Sequence, residues 1–332
     1  MTIAVYGAGA IGCYVGGRLA ATGTAVTLIG RQRLAGEIAE HGLHLTDYLG
    51  ADFRVSPTEV RYETTPGGAA DSDLVLVTVK SAATATAAEE LAAVLKPNAV
   101  VVSFQNGLLN GDVLRERLKY QAIVTGMVPF NVLNRGDGAF HQGTEGGLDT
   151  EQHPGLDAYA DAFERAGLPL TQHAEILPVQ WAKLLLNLNN PINALSDLPL
   201  RDELAQRAYR KCLAAAQAEA LELLAAAGIT PARLMAIPPQ RLPGLLRLPD
   251  FIFRRLASKM LAIDPLARTS MWEDLQSGRR TEIDYLNGEV VRLAESLGRT
   301  APINQRLVEL IRAAESGERR AWSGPELLAT IS

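Results

Sequence analysis

A short apolar run, "IAVYG" (3–7), passes directly into the spaced glycines of "YGAGAIG", and an alanine-rich, helix-forming stretch follows. Gly7, Gly9 and Gly12 stand in GxGxxG spacing after a strand and at the opening of a helix. The first glycine permits a tight turn, the second lets a phosphate approach the backbone, and the third lets the helix lie close on the strand. The helix N-terminus, with its unpaired N–H groups and the positive end of its dipole, then faces the anion. Gly7, Ala8, Gly9, Ala10, Ile11 and Gly12 are therefore the expected pyrophosphate cradle. A glycine-rich turn with no ligand is the plainer reading; the strand before it and the helix after it argue against that.

The alternation continues through the first half. Val/Ile/Leu runs recur at "AVTLIG" (25–30), "LVLVTV" (74–79), "AVVVSF" (99–104) and "QAIVTGMV" (121–128), with helix-like stretches such as 84–95 between them. Runs of this kind suit strands buried on both faces of a parallel sheet, so an open, doubly wound α/β sheet of Rossmann type is expected. Residues 138–148 read as a strand pair, and "LPLTQH" (168–173) as a last short strand. After about residue 175 the pattern becomes helical, over 177–190, 202–227, 283–297 and 304–316, with 245–267 as a helical insertion. The division expected is 1–174 for the nucleotide domain and 175–332 for an all-helical second domain.

Composition narrows the function classes. Of 332 residues, 47% are hydrophobic and 21% charged, and the net charge of −5 argues against a nucleic-acid surface. The basic pairs Arg279-Arg280 and Arg319-Arg320 have acidic neighbours and read as solvated faces. Cys13 and Cys212 lie far apart, and no CxxC or HExxH spacing supports a metal site. The apolar N-terminus is broken by glycines and preceded by no basic residue, so neither a leader nor a membrane span is read there. A cytoplasmic enzyme is the expectation.

The end of the second strand selects the cofactor. Asp or Glu there would bind the ribose hydroxyls of NAD, but this chain has "LIGRQR", with Arg31 and Arg33. Guanidinium pairs with phosphate, so NADPH is expected, against the plainer reading of two surface arginines. Lys80 after "LVLVTV" and Asn106 in "SFQNG" end two further strands, where open α/β sheets bind ligands. Taken alone, each could be a solvated lysine or a turn.

In the second half, "WAKLLLNLNNPINAL" is a leucine-rich helix carrying Lys183, Asn187 and Asn190 at i, i+4 and i+7, on one side of a continuous helix. Solvent-facing stripes favour Glu, Arg and Gln, so repeated asparagine fits an inward polar stripe better. In "TEIDYLNG", Glu282 begins a helix behind Thr281, and its plain reading is an acid at a helix start.

Taken together, "GAGAIG", "VTVKS", "QNG", "WAKLLLN" and "TEIDYLNG" resemble the ketopantoate reductase (2-dehydropantoate 2-reductase) family. The resemblance implies a Rossmann domain followed by a helical domain of the 6-phosphogluconate dehydrogenase-like type. It also implies NADPH-dependent reduction of ketopantoate to pantoate, on the route to pantothenate and coenzyme A. Residue by residue it makes Lys183, Glu282 and Asn106 catalytic, and Asn187, Asn190 and Ser270 substrate-binding. Arg31, Lys80, Asn106 and Glu282 then join residues 7–12 in holding the cofactor. There are departures. The family pattern has its second helix asparagine one position further along than Asn190, residues 238–263 are longer, and "GMVPFNVLNRGDG" does not match. The expected partner is a small 2-oxo acid. Another 2-oxo acid, an opine-type condensation and a non-catalytic NADPH-binding module stay open, as does a homodimer.

Overall fold

A computed structural model describes residues 1–144, 146–257, 267–318 and 321–332. The chain divides into two compact units, Met1–Ile176 and Leu177–Ser332. The pair Arg319-Arg320 and the 258–263 end of the long segment lie outside the described residues.

The first unit holds strands β1 (Thr2–Tyr6), β2 (Ala25–Ile29), β3 (Leu43–Asp47), β4 (Asp52–Val55), β5 (Arg61–Glu63) and β6 (Leu74–Val77). It continues with β7 (Val100–Ser103), β8 (Ala122–Met127), β9 (Val132–Gly136), β10 (Ala139–Gln142), β11 (Leu148–Glu151) and β12 (Leu170–His173). The main sheet has the order β12-β11-β8-β7-β6-β1-β2-β5 and is parallel from β8 to β5. Only the β8–β11 junction is antiparallel.

Alternate residues of the central strands serve two cores. Ile3, Val5, Leu74, Leu76 and Val102 pack with α1 (Ala10–Ala21). Ala4, Val75, Val77 and Val101 pack with α3 (Thr84–Ala92) and α4 (Asn110–Arg117) on the opposite face. The helix α2 (Gln32–His41) follows β2, and the short α5 (Ala160–Arg165) adds Phe163 to the first core. The sheet is thus doubly wound, as the burial of every residue of β6 and β7 requires.

A second sheet, β4-β3-β10-β9, was not foreseen. Its strands are of mixed polarity and carry no continuous apolar run to announce them. The expected strand pair within 138–148 is corrected by this topology. Both β10 and β11 exist, but β10 pairs β3 and β9 while β11 pairs β8 and β12. The glycines of α1 explain how one helix serves both sheets. A Cβ on Gly16 would stand 2.5 Å from Leu28, in the main sheet, and one on Gly17 would stand 2.7 Å from Leu45, in the small sheet.

The second unit is helical: α6 (Leu177–Asn187), α7 (Asn190–Ser196), α8 (Leu200–Leu204), α9 (Arg207–Ala226), α10 (Leu242–Leu246) and α11 (Asp250–Leu256). Then come α12 (Ser270–Gln276), α13 (Asn287–Ser296), α14 (Pro302–Glu315) and α15 (Gly324–Ile331). The long α9 is the centre, contacted by α7, α8, α10, α13, α14 and α15. Fully buried Arg210 fastens the elaborated segment to it, donating to the carbonyls of Leu204, Leu246 and Leu248 and to Asp250. A buried guanidinium needs that many acceptors to offset its desolvation.

Candidate active site

Four strand ends carry the first unit's candidate residues. Strands β2, β1, β6 and β7 are adjacent and parallel, so their carboxyl ends share one edge. Along that edge stand Arg31, the 7–12 turn, Lys80 and Asn106, in that order. Three strand spacings of about 4.8 Å separate the outer two strands, roughly 14 Å. An edge of this length has room for an extended dinucleotide.

The turn fits a pyrophosphate. Gly7 has φ +112°, where a side chain is strained, and a Cβ there would stand 2.6 Å from the Val79 nitrogen. Its carbonyl accepts from Thr78 Oγ1 at 2.8 Å. A Cβ on Gly12 would fall on that carbonyl and 2.6 Å from Thr78 Oγ1. Gly9 is different: it is exposed, and nothing outside the turn itself lies within 4 Å of a Cβ placed there. Two glycines therefore make room for protein, and the middle one leaves room for a ligand. Gly9 also caps α1, whose first N–H groups have no intrahelical acceptor.

Arg31 is exposed at the start of α2, its main chain held by a 3.1 Å hydrogen bond from Tyr62 Oη to its carbonyl. Arg33, the other arginine of the pair, has Glu37 at 3.6 Å, which partly satisfies it. Lys80 is exposed and Asn106 part-buried. The Asn106 carbonyl accepts from Ser81 Oγ at 2.7 Å and Asn110 Nδ2 at 2.6 Å. The sequence reading did not single out Ser81, Thr84, Gln105 or Asn110. Ser81 and Gln105 follow strands β6 and β7, while Thr84 and Asn110 open helices α3 and α4, where a polar residue ordinarily reads as a helix start.

In the second unit the expected helix over 177–190 is two helices. Pro191 has no N–H to give the Asn187 carbonyl, and its ring crowds that carbonyl, so α6 stops at Asn187. Asn190 then begins α7. The stripe read along one helix is corrected accordingly: Lys183 and Asn187 share a face of α6, and Asn190 belongs to another helix. Lys183 is part-buried, and burial draws its ammonium down to about 8.

Asn190 is tied to Ser270 through buried neighbours. Thr269 caps α12, its hydroxyl donating to the Asn190 carbonyl at 3.4 Å, and its N–H donates to Asn193 Oδ1 at 3.0 Å. Ser270 follows as an exposed first helical residue. Asn193 also donates to Glu203, at 2.8 Å. Glu203 has no exposed surface, and burial pushes its carboxyl up to about 8 against the hydrogen bonds from Asn193 and Asn189. Asn193, Glu203 and Thr269 were not read from the sequence, where a lone polar residue in a helix is indistinguishable from a surface one. A largely apolar cavity of about 200 Å³ adjoins this cluster, lined by Leu186, Leu213, Leu242, Asn189, Asn190 and Gln217 among others.

The "TEIDYLNG" stretch separates into two roles. The expected helix over 283–297 is a 3-10 turn (Ile283–Tyr285) and then α13. Thr281 Oγ1 takes the Ile283 N–H at 3.3 Å, and the Glu282 side chain makes no capping bond. Glu282 stands at the N-cap of that turn, so its plain reading as an acid at a helix start, which is electrostatic, stays in place beside the functional one. Asn287 is fully buried and donates to Asn304 Oδ1 at 2.9 Å, so the motif's asparagine holds α13 to α14.

Among known proteins, residues 3–155 match the family model "Ketopantoate reductase PanE/ApbA" and residues 175–315 match its C-terminal counterpart. A 2-dehydropantoate 2-reductase of Pyrococcus horikoshii is 30% identical over 95% of this chain and 98% of its own. One from Halobacterium salinarum is 29% identical over 95% and 99%. The crystal structure of a PanE/ApbA family ketopantoate reductase from Ralstonia eutropha is similar with a TM-score of 0.81 at 31% identity, covering 96% of this chain and 99% of that one. With both halves matched and identity of this order sustained along nearly the whole length, the chain belongs to the ketopantoate reductase family.

Proposed function

We propose that this protein reduces 2-dehydropantoate to pantoate with NADPH. The observation that carries the reading is Lys183: an ammonium on a leucine-rich helix, desolvated to about 8 and so still mostly protonated near neutrality. Curated relatives of about this similarity, matched over nearly their full length, bear the name of this activity.

The glycine turn fits the cofactor, because Gly9 leaves open the space a pyrophosphate needs while Gly7 and Gly12 hold the turn against β1 and β6. Residues 7–12 would take the pyrophosphate, Arg31 the 2′-phosphate, and Lys80 and Asn106 the nicotinamide end. When bound, NADPH supplies the hydrogen and two electrons that reduce the 2-oxo carbon.

The remaining chemistry belongs to this chain. Lys183 Nζ holds the proton that passes to the former carbonyl oxygen as the C=O bond becomes CH–OH. Its charge also stabilises negative charge growing on that oxygen. Asn106 and Asn187 orient the substrate through amides without adding net charge. Ser270 and Asn190 bind the substrate's polar groups, and the Glu282 carboxylate accepts from a hydroxyl. The choice of NADPH over NADH rests on Arg31 and on the absence of an acid at the end of β2.

Cofactor oxidation by the purified protein tests the reading, with 2-dehydropantoate, pyruvate and 2-oxoisovalerate, each against NADPH and NADH. Fast turnover of 2-dehydropantoate with NADPH is expected. Preference for another 2-oxo acid would overturn the substrate, and preference for NADH would overturn the role of Arg31.

A further inference from the structure

Lys80 and Asn106 sit in loops, the part of a domain whose main chain is ordinarily least fixed. Here that main chain is held by a connected set of buried polar groups. Ser103 Oγ donates to Gln105 Oε1 at 2.9 Å, and Gln105 Nε2 donates to the Val79 carbonyl at 2.9 Å and to Thr84 Oγ1 at 2.7 Å. Thr84 Oγ1 donates to Asn110 Oδ1 at 2.7 Å. Asn110 Nδ2 then donates to Ser81 Oγ at 3.2 Å and to the Asn106 carbonyl at 2.6 Å, where the Ser81 hydroxyl arrives as well.

The five side chains, Ser81, Thr84, Ser103, Gln105 and Asn110, are all buried, and none of their polar atoms is left without a hydrogen-bond partner. Lys80 lies between Val79, whose carbonyl the network holds, and Ser81, and Asn106 follows Gln105. One network therefore fixes the ends of β6 and β7 against each other. Buried networks that are fully satisfied rigidify their surroundings, and a displacement of about 1 Å at a reacting group can cost roughly 10²-fold in rate.

We infer that Asn110 and Ser81 are positioning residues of the reduction, acting through the Asn106 main chain to set where the Asn106 amide stands. The inference rests on the proposed role of Asn106. Its test is a double-mutant cycle in kcat, with NADPH affinity measured alongside by fluorescence. Asn110→Ala should lower kcat by about 10- to 100-fold in the wild-type background. In an Asn106→Ala background the same change should alter kcat by less than about two-fold, because the group being positioned is gone. NADPH affinity should fall no further in Asn110→Ala than it does in Asn106→Ala.

A loss that is the same in both backgrounds would mean that Asn110 is merely structural, and would overturn the inference. If Asn110→Ala does not fold, Ser81→Ala removes one of the two bonds to the same carbonyl, and the same cycle should show a smaller loss that again disappears without Asn106. Full activity in Asn106→Ala alone would bring down the role of Asn106 and this inference with it. A slow Asn106→Ala with additive cycles would bring down the inference alone.

Discussion

The two units hold their candidate residues by opposite physical means. In Met1–Ile176 they stand at the ends of parallel strands, on main chain fixed by glycine geometry and by buried side chains whose polar atoms are all paired. In Leu177–Ser332 the surroundings of Asn190 include buried atoms with no hydrogen-bond partner among the described residues: Asn189 Oδ1, Glu203 Oε1 and Gln217 Oε1. Two ionisable groups there, Lys183 and Glu203, are moved by burial to about 8. Paired polar groups give fixed geometry, which suits holding a large cofactor. Desolvation moves a proton affinity towards neutrality, which suits chemistry and weakens stability. The comparison teaches that binding and proton transfer should be separable by mutation.

The largest expected effect lies in the second unit. Lys183→Ala should lower kcat by about 10²- to 10⁴-fold, the loss of a general acid, while NADPH titration gives an unchanged Kd. Parallel loss of cofactor binding would break the separation. In the first unit, Arg31→Ala should weaken NADPH by about 10- to 100-fold, equivalent to a charge-assisted hydrogen bond of roughly 1.5–3 kcal/mol, and leave NADH binding unaltered. Equal losses for both cofactors would refute a 2′-phosphate contact.

Two glycine variants sharpen the picture at one turn. Gly12→Ala forces a methyl onto the Gly7 carbonyl and should cost about 1–3 kcal/mol of stability, read as a lowered Tm. Gly9→Ala meets no neighbour and should leave Tm unchanged while weakening NADPH. If both variants behave alike, Gly9 is not a ligand position.

A separate effect, on the pH dependence of stability, concerns Glu203. Its carboxyl is raised by burial from the ordinary value of 4.5 to about 8, so the folded chain keeps a proton that the unfolded chain has released. The stability this provides is full below about pH 4.5 and lost as pH rises to about 8. Glu203→Gln should flatten that decline in thermal melts between about pH 5 and 8, and an unchanged slope would show that Glu203 is ionised in the folded protein.

How far sequence reading reached also differs between the units. The long apolar strands and the glycine turn were readable because each is a contiguous run with one periodicity, and the sheet order then brings Arg31, the turn, Lys80 and Asn106 to one edge. The small sheet was not readable, because β3, β4, β9 and β10 are of mixed polarity and lack the continuous apolar run that marks β6 and β7. In the second unit the pattern read one helix over 177–190, while Pro191 ends α6 four residues earlier, at Asn187, and the stripe lost Asn190 as a result. The pairing of Asn193 with Glu203 and Thr269 spans 10 and 76 positions, beyond any local pattern.

The division of labour rests on Lys183 as the proton donor, and the pH dependence of kcat for NADPH-dependent reduction of 2-dehydropantoate tests it most directly. The donor must be protonated, so kcat should hold on the acid side and fall as pH rises through about 8, with a bound substrate carboxylate moving that limb upward if at all. A kcat that keeps climbing with pH through that region, or the absence of any turnover, would contradict the account.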